Sequence, residues 1–215
     1  MVNGVKAPKR AAERIRETAE ELFYREGIRA VGVDEIVARA GVTKPSLYRS
    51  YASKDELVAD CLRHHGGKHL EAFDAALAQG NDLRAAFRTW LTSLSERATK
   101  PDYRGCGNSN AVVEYPQIDH PARKVAAANK SRFRARLHAL AKELGAPQPG
   151  LLGDMLLLLI EGSYTSGQLF GAGGPASHLV QAVDMMIDAH LAIAPPSALC
   201  AAKSKPQSKP KRRQA

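Results

Sequence analysis

The segment Val33–Tyr51, VDEIVARAGVTKPSLYRSY, decides how this chain is read. Val33, Ile36, Val37 and Ala40 recur at i, i+3, i+4 and i+7, which puts them on one apolar face of a short helix. Gly41 follows where the chain must turn sharply, because a residue without Cβ tolerates positive φ. Val42 returns toward the apolar face. Thr43 suits the N-cap of a second helix, its hydroxyl accepting a free amide of the next turn. Pro45 suits the first turn, where its missing N–H has no internal use. Leu47 points inward, while Lys44, Ser46, Tyr48, Arg49 and Tyr51 are left facing outward. Two short helices about a glycine turn, the second polar, basic and aromatic, describe a helix-turn-helix whose second helix is expected to enter a DNA major groove.

The flanks sharpen this reading. Upstream, Ile15, Ala19, Leu22 and Phe23 form one stripe of a helix expected over Lys9–Glu26 and ended by Gly27. Downstream, Ser53 with Glu56 three residues later is a capping-box pattern. Lys54 lies in the first turn of the helix it opens, and Leu57 and Val58 start its buried side. The run Ala11–Val58, with Leu22-Phe23, Gly27, Asp34-Glu35-Ile36, Ala40-Gly41-Val42, Leu47-Tyr48, Tyr51 and Ser53-Lys54-Asp55-Glu56-Leu57 in that order, resembles the N-terminal domain of the TetR family of bacterial transcriptional repressors. The resemblance covers about residues 10–60 without gaps.

The resemblance implies DNA contact by Thr43, Lys44, Pro45, Ser46, Tyr48, Arg49, Tyr51 and Lys54. Thr43, Lys44 and Ser46 would lie nearest the bases, and Tyr48, Tyr51 and Lys54 on phosphates. Two residues depart from the family pattern. Gly32 stands where a hydroxyl residue usually caps the second helix, so no side-chain phosphate contact is expected there. Pro45 stands where the family usually has a small residue, and should stiffen the start of the recognition helix.

Charge alone would be a poor argument for DNA. The net charge is +9, but Lys203, Lys205, Lys209, Lys211, Arg212 and Arg213 sit in the last thirteen residues; removing these six leaves +3. A hydrophobic content of 44%, many Ala and Leu and no alternating β-branched runs point to an all-α, globular chain. Three widely spaced cysteines, Cys61, Cys106 and Cys200, form no CxxC pair, so a zinc ribbon or redox dithiol is not expected and a reduced, cytoplasmic setting fits. The first ten residues have no apolar core of the kind a signal peptide needs. The longest apolar block, Met155–Ile160, is far shorter than the roughly 20 residues of a membrane span.

The expected organisation is a disordered arm over 1–8, with Lys6 and Lys9 near it, then a three-helix DNA-binding head over 9–56. A helical effector-binding and dimerisation domain follows over 57–195, and a disordered basic tail over 196–215, with about nine helices in all. Leu83, Phe87, Trp90, Leu91 and Leu94 form one helical stripe, and Phe133, Leu137, Leu140 and Leu144 another on a helix starting at Pro121. Arg123, Lys124, Lys130, Arg132, Arg134 and Arg136 read as a solvated basic face. Leu151–Phe170 is apolar nearly all round, which requires burial on more than one side. Leu152, Leu156, Leu159, Ser163, Leu179, Val183, Met186 and His190 are therefore the expected dimer contacts. Phe87, Trp90, Tyr103, Cys106, Asn110, Tyr115, Tyr164, Gln168 and Phe170 are the candidates for an effector pocket, mostly apolar with a few polar groups.

Taken with the resemblance, these residues describe a homodimeric repressor on a pseudo-palindromic double-stranded operator, released by an unidentified small molecule. An activator, or a DNA-binding protein without a ligand, is the alternative. No cofactor, metal site or membrane partner is expected, and no nucleophile elbow, P-loop or dinucleotide fingerprint argues for an enzyme.

Overall fold

The computed structural model describes residues 10–192. The expected arm at 1–8 and the tail at 196–215, with Lys6, Lys9, Cys200 and the run Lys203–Arg213, lie outside the described residues. Within them the chain forms nine α-helices and one 3₁₀ turn, and no strand. The helices are α1 (Ala11–Glu26), α2 (Val33–Ala40), α3 (Lys44–Ser50), α4 (Lys54–Leu77), α5 (Leu83–Ala98), α6 (Gly107–Glu114), α7 (Pro121–Glu143), α8 (Pro149–Phe170) and α9 (Leu179–Leu191). The 3₁₀ turn, Pro175–His178, leads into α9.

Local chemistry sets the head's boundaries. Gly41 takes φ 62°, ψ 41°, the left-handed conformation that a side chain would strain. The Thr43 hydroxyl accepts from the Ser46 amide at 3.4 Å, and Ser53 caps α4 by accepting from the Glu56 amide at 3.1 Å. Glu56 reaches back to accept from the Ala52 amide at 2.8 Å. Ile15, Ala19 and Leu22 of α1, Ile36 of α2, Leu47 of α3 and Leu57 of α4 close over one core, all essentially without solvent exposure. Residues 9–56 do not complete that core: Val58, Cys61 and Leu62 of α4, Ala111 of α6 and Ala122 and Ala126 of α7 belong to the same cluster.

A second core fills the body. Phe73 stands edge-on to Phe87, Trp90 and Phe133, and Leu137, Leu140, Leu152, Leu156, Ile160, Val183 and Ile187 surround them. α4 is the rod shared by both cores, with Leu57 in the head and Phe73 and Leu77 in the body. Its 24 residues span about 36 Å at the helical rise of 1.5 Å per residue. Between the cores α4 crosses α7 so closely that a Cβ on Gly66 would lie 2.3 Å from the Asn129 amide group. Asn129 there donates to the Leu62 carbonyl at 2.8 Å and to Asn108 Oδ1 at 3.0 Å, satisfying a buried amide that joins α4, α6 and α7.

The α7 basic face is not simply solvated, which corrects the sequence expectation. Arg134 grips Asp154 of α8 through two hydrogen bonds of 2.6 and 2.7 Å, and Lys130 pairs with Glu161 of α8. Arg136 meets Asp74 of α4, Lys124 meets Asp119, and Arg123 donates to the Val112 and Tyr115 carbonyls at the end of α6. Only Arg132 of this set makes no ion pair or hydrogen bond among the described residues. A helix facing three neighbours needs side chains that reach across, and long cations are suited to that.

Candidate nucleic-acid interface and body cavity

α3 shows only Leu47 to the core; Thr43, Lys44, Pro45, Tyr48 and Arg49 are exposed and Ser46 half-buried. Lys44 bridges to Asp34 at the start of α2, with Nζ and Oδ1 2.7 Å apart, and Arg49 donates to the Ser46 hydroxyl at 2.7 Å. These contacts hold both cations along one exposed ridge. The Asp34 carboxylate beside Lys44 raises the ammonium's pKa, so Lys44 stays charged.

Tyr51 does not face outward. It is 8% exposed, and its hydroxyl donates to Asp60 Oδ2 at 3.1 Å, with the Ala12 carbonyl at 3.5 Å. Burial pushes the phenol up to about 12, the Asp60 charge adding to the effect. Tyr51 ties α4 to α1, and the expectation of a phosphate contact from it is corrected. Lys54 also has an internal partner: Nζ donates to the Ile28 carbonyl at 2.6 Å and lies 5.8 Å from the Phe23 ring centroid. Desolvation lowers its pKa. An ammonium carries three N–H donors, so two remain for other partners.

The body contains a cavity of about 880 Å³, within the range of small-molecule sites. Its walls come from α1, α4, α5, the α5–α6 loop, α6, α7 and α8. Of the expected pocket residues, Trp90, Tyr103, Cys106 and Tyr164 line it. The others do not, for separate reasons. Phe87 is sealed in the core, and Tyr115 stacks on His120 at 3.7 Å against the head. Asn110 lines a smaller hollow between head and body and donates to the Arg104 carbonyl at 2.7 Å. Gln168 and Phe170 are exposed on the last turn of α8.

Sequence reasoning missed His65, His69, Asn129, Lys130 and Phe133 on the cavity wall. The pair Gly66-Gly67 inside a helix was the available signal, since each glycine costs about 1 kcal/mol there unless a close approach requires it. His69 lies between the Trp90 and Phe133 rings, and desolvation, then the charges of His65, Lys130 and Arg97, lowers it to about 4. It is neutral near pH 7. Lys130 also donates to Cys106 Sγ at 3.1 Å.

Six of the eight expected dimer residues are likewise corrected. Leu152, Leu156, Ser163, Leu179, Val183 and His190 are buried within the single subunit, and Leu159 and Met186 are half-buried against the same core. His190 even holds the Gln148 carbonyl at 3.1 Å. The large apolar residues left exposed are Leu151, Leu158, Leu169 and Phe170 on α8 and Met185 and Leu191 on α9, with Leu158 72% and Leu169 71% exposed. Leu151, Leu158 and Leu169 recur at i, i+7 and i+18, one line along the helix.

Head and body are also joined outside α4. Glu114, the last residue of α6, accepts from the Ile28 amide at 3.0 Å and the Arg29 amide at 2.7 Å. The Arg104 amide donates to the Tyr24 hydroxyl at 3.0 Å. No described helix is long and apolar enough to cross a membrane.

Comparison with known proteins places these features. The family model for bacterial regulatory proteins of the tetR family matches residues 15–61. The HTH-type transcriptional activator FasR of Mycolicibacterium smegmatis is 40% identical over 104 residues, 46% of this chain and 46% of that protein. An uncharacterized HTH-type transcriptional regulator in the lacX 3' region of Lactococcus lactis is 27% identical over 116 residues, 52% of this chain and 58% of that one. The matched region thus spans about half the length of these curated relatives. Likeness over the whole fold comes from SCO4454, a TetR-family transcriptional regulator of Streptomyces coelicolor: TM-score 0.74, 29% identity, 84% of this chain and 94% of that one. The helix-turn-helix thus lies inside the segment that matches the tetR family of bacterial regulatory proteins, and the remaining described helices are arranged as in that TetR-family regulator.

Proposed function

We propose that this protein is a homodimeric transcription regulator that holds a pseudo-palindromic duplex through two α3 helices and responds to a small molecule in the body cavity. The observation that carries this is α3 itself: its core side is one leucine, and the rest is an exposed ridge of Thr43, Lys44, Pro45, Tyr48 and Arg49, with Ser46 half-buried beside it. Pro45 in the first turn fixes the backbone from which Lys44 and Ser46 reach. Tyr48 supplies a hydroxyl donor for phosphate and Arg49 a charge, and the two spare donors of Lys54 extend the backbone contacts. Gly32 caps α2 without a side-chain hydrogen bond and adds none.

The open apolar face of α8 and α9 is the proposed dimer face. Two copies would bury Leu158, Leu169 and Met185, which alone in water are costly to expose, and would set two α3 helices about 34–36 Å apart on one side of a duplex. Because α1 of the head forms one wall of the cavity, a ligand there acts directly on the head's orientation, favouring the spacing it fits best. Repression relieved by the ligand is the first reading. Activation is the second, favoured by the relative FasR, which is named an activator.

The test uses the full chain on a duplex selected from a random pool. Lys44→Ala with Tyr48→Phe should weaken binding and reduce the slope of log K against log salt by about one per lost phosphate contact. Tyr51→Phe should leave that slope unchanged. Leu158→Glu should convert a sedimenting dimer to monomer and weaken binding to the two-half-site duplex. Unchanged DNA affinity in the Lys44–Tyr48 double variant would reject the α3 assignment, and transcription in vitro from that site separates repression from activation.

A further inference from the structure

The cavity has a direction. Trp90, Leu94 and Arg97 stand at i, i+4 and i+7 of α5, so all three face it from one stripe. Along about 10 Å of helix the wall passes from an aromatic floor to a guanidinium. The floor is Trp90, Phe133 and the neutral His69. At the far end Arg97 is exposed and makes no ion pair among the described residues. Next to this end stands Tyr103, whose ring lies against Gly167 of α8, where even a Cβ would come within 2.9 Å of Cε1. The Tyr103 hydroxyl is buried and has no hydrogen-bond partner. A buried hydroxyl left unpaired costs about 1–3 kcal/mol, so a partner arriving at this position recovers that cost.

The pairing of the charged wall residues bears on the sign of that partner. Glu20 is held by His64 at 2.6 Å and Glu21 by Arg25 at 3.5 Å. Lys130 and Glu161 neutralise each other. Glu17, the remaining wall carboxylate besides Asp102, has an interaction of its own, and Arg97, Lys100 and Arg132 are the wall cations that make no ion pair among the described residues, Arg97 and Lys100 lying at the Tyr103 end. A guanidinium beside a phenolic hydroxyl offers donors to both oxygens of one carboxylate.

Resting on the reading of the cavity as a ligand site, we infer that its ligand is an amphipathic monocarboxylate. The head sits between Arg97 and Tyr103, and an apolar chain or ring about 10 Å long lies over Leu94 to Trp90 and Phe133.

The chain's single tryptophan, Trp90, is in the cavity wall and reports occupancy by its fluorescence. The probes are two matched pairs: octanoate with octanamide, and 4-phenylbutyrate with 4-phenylbutyramide, each titrated into the full chain by calorimetry and by Trp90 emission. Each acid should bind at least about tenfold tighter than its amide, the ratio expected of one charge-assisted contact. Arg97→Gln should bring the acids down to the amides and leave the amides unmoved. Tyr103→Phe should weaken the acids about fivefold without lowering the melting temperature, since it removes a hydroxyl that has no partner. Amides that equal their acids, or an acid preference that survives Arg97→Gln, would overturn the carboxylate while leaving the cavity as a site. If neither probe of either pair moves Trp90 or releases heat, the cavity reading fails and the carboxylate with it.

Discussion

His69 makes the stability of the body acid-sensitive by a calculable amount. The imidazole is half-buried between Trp90 and Phe133, and desolvation there, with His65, Lys130 and Arg97 adding positive charge, lowers its pKa from 6.5 to about 4. The unfolded chain therefore takes up a proton more readily than the folded one. Stability is complete above pH 6.5 and falls as pH drops toward 4, where the folded state begins to accept the proton as well. A shift of this size corresponds to about 3 kcal/mol at most, and between about pH 7 and pH 5 the loss is about 2 kcal/mol. Guanidinium unfolding of wild type and His69→Phe at both pH values measures it. The variant keeps a ring against Trp90 and Phe133 and loses the titration. Wild type should lose about 2 kcal/mol more than the variant on going to pH 5. Equal losses would show that His69 is already solvated enough to titrate normally, and the account of its burial would be wrong.

Two further outcomes follow from close contacts. Gly66→Ala would drive a Cβ to 2.3 Å from the Asn129 amide, forcing apart the α4–α7 crossing and its bond to the Leu62 carbonyl; a loss of about 1–3 kcal/mol is expected in denaturant unfolding. Glu114→Gln places an N–H₂ against one of the two amides the carboxylate now accepts, and should cost about 1–3 kcal/mol and change operator affinity, read together by thermal melting and by gel shift.

The head was legible because its signals are local. Gly41 and the Thr43 and Ser53 caps are decided by neighbours within one helical turn, and Leu47 stands alone as an apolar residue in a polar helix. Tyr51 was misplaced because its partners, Asp60 and Ala12, lie on α4 and α1, beyond any local pattern. The dimer residues failed for a different reason. α8 is apolar on nearly every side, so periodicity identifies two usable faces and cannot say which meets its own subunit. Packing chose Leu152, Leu156 and Ile160 for the core and left Leu151, Leu158 and Leu169 outside. The cavity was half legible. Aromatic residues pointed to Trp90, Tyr103 and Tyr164, but a cavity wall is also made of what fails to fill space, and His65-Gly66-Gly67 marks that failure only once α7 is laid against it.

The short helix α6 connects the parts that the sequence kept separate. Its first turn follows Cys106 and carries Asn108, both on the cavity wall, and its last residue is Glu114, which holds the Ile28 and Arg29 amides. One stiff element of eight residues thus touches the cavity at one end and the head at the other. Shifting a two-state equilibrium from about 1:99 to 99:1 takes about 5.5 kcal/mol of differential binding. Hydrogen bonds to a charged group contribute about 1.5–3 kcal/mol each, so the two at Glu114 are of the same order as the whole switch. Under the proposed ligand response, a ligand would have no need to melt the head or to bend α4. It would need only to prefer a position of α6 in which Glu114 no longer meets Ile28 and Arg29, with α1, itself a wall of the cavity, turned in the same step.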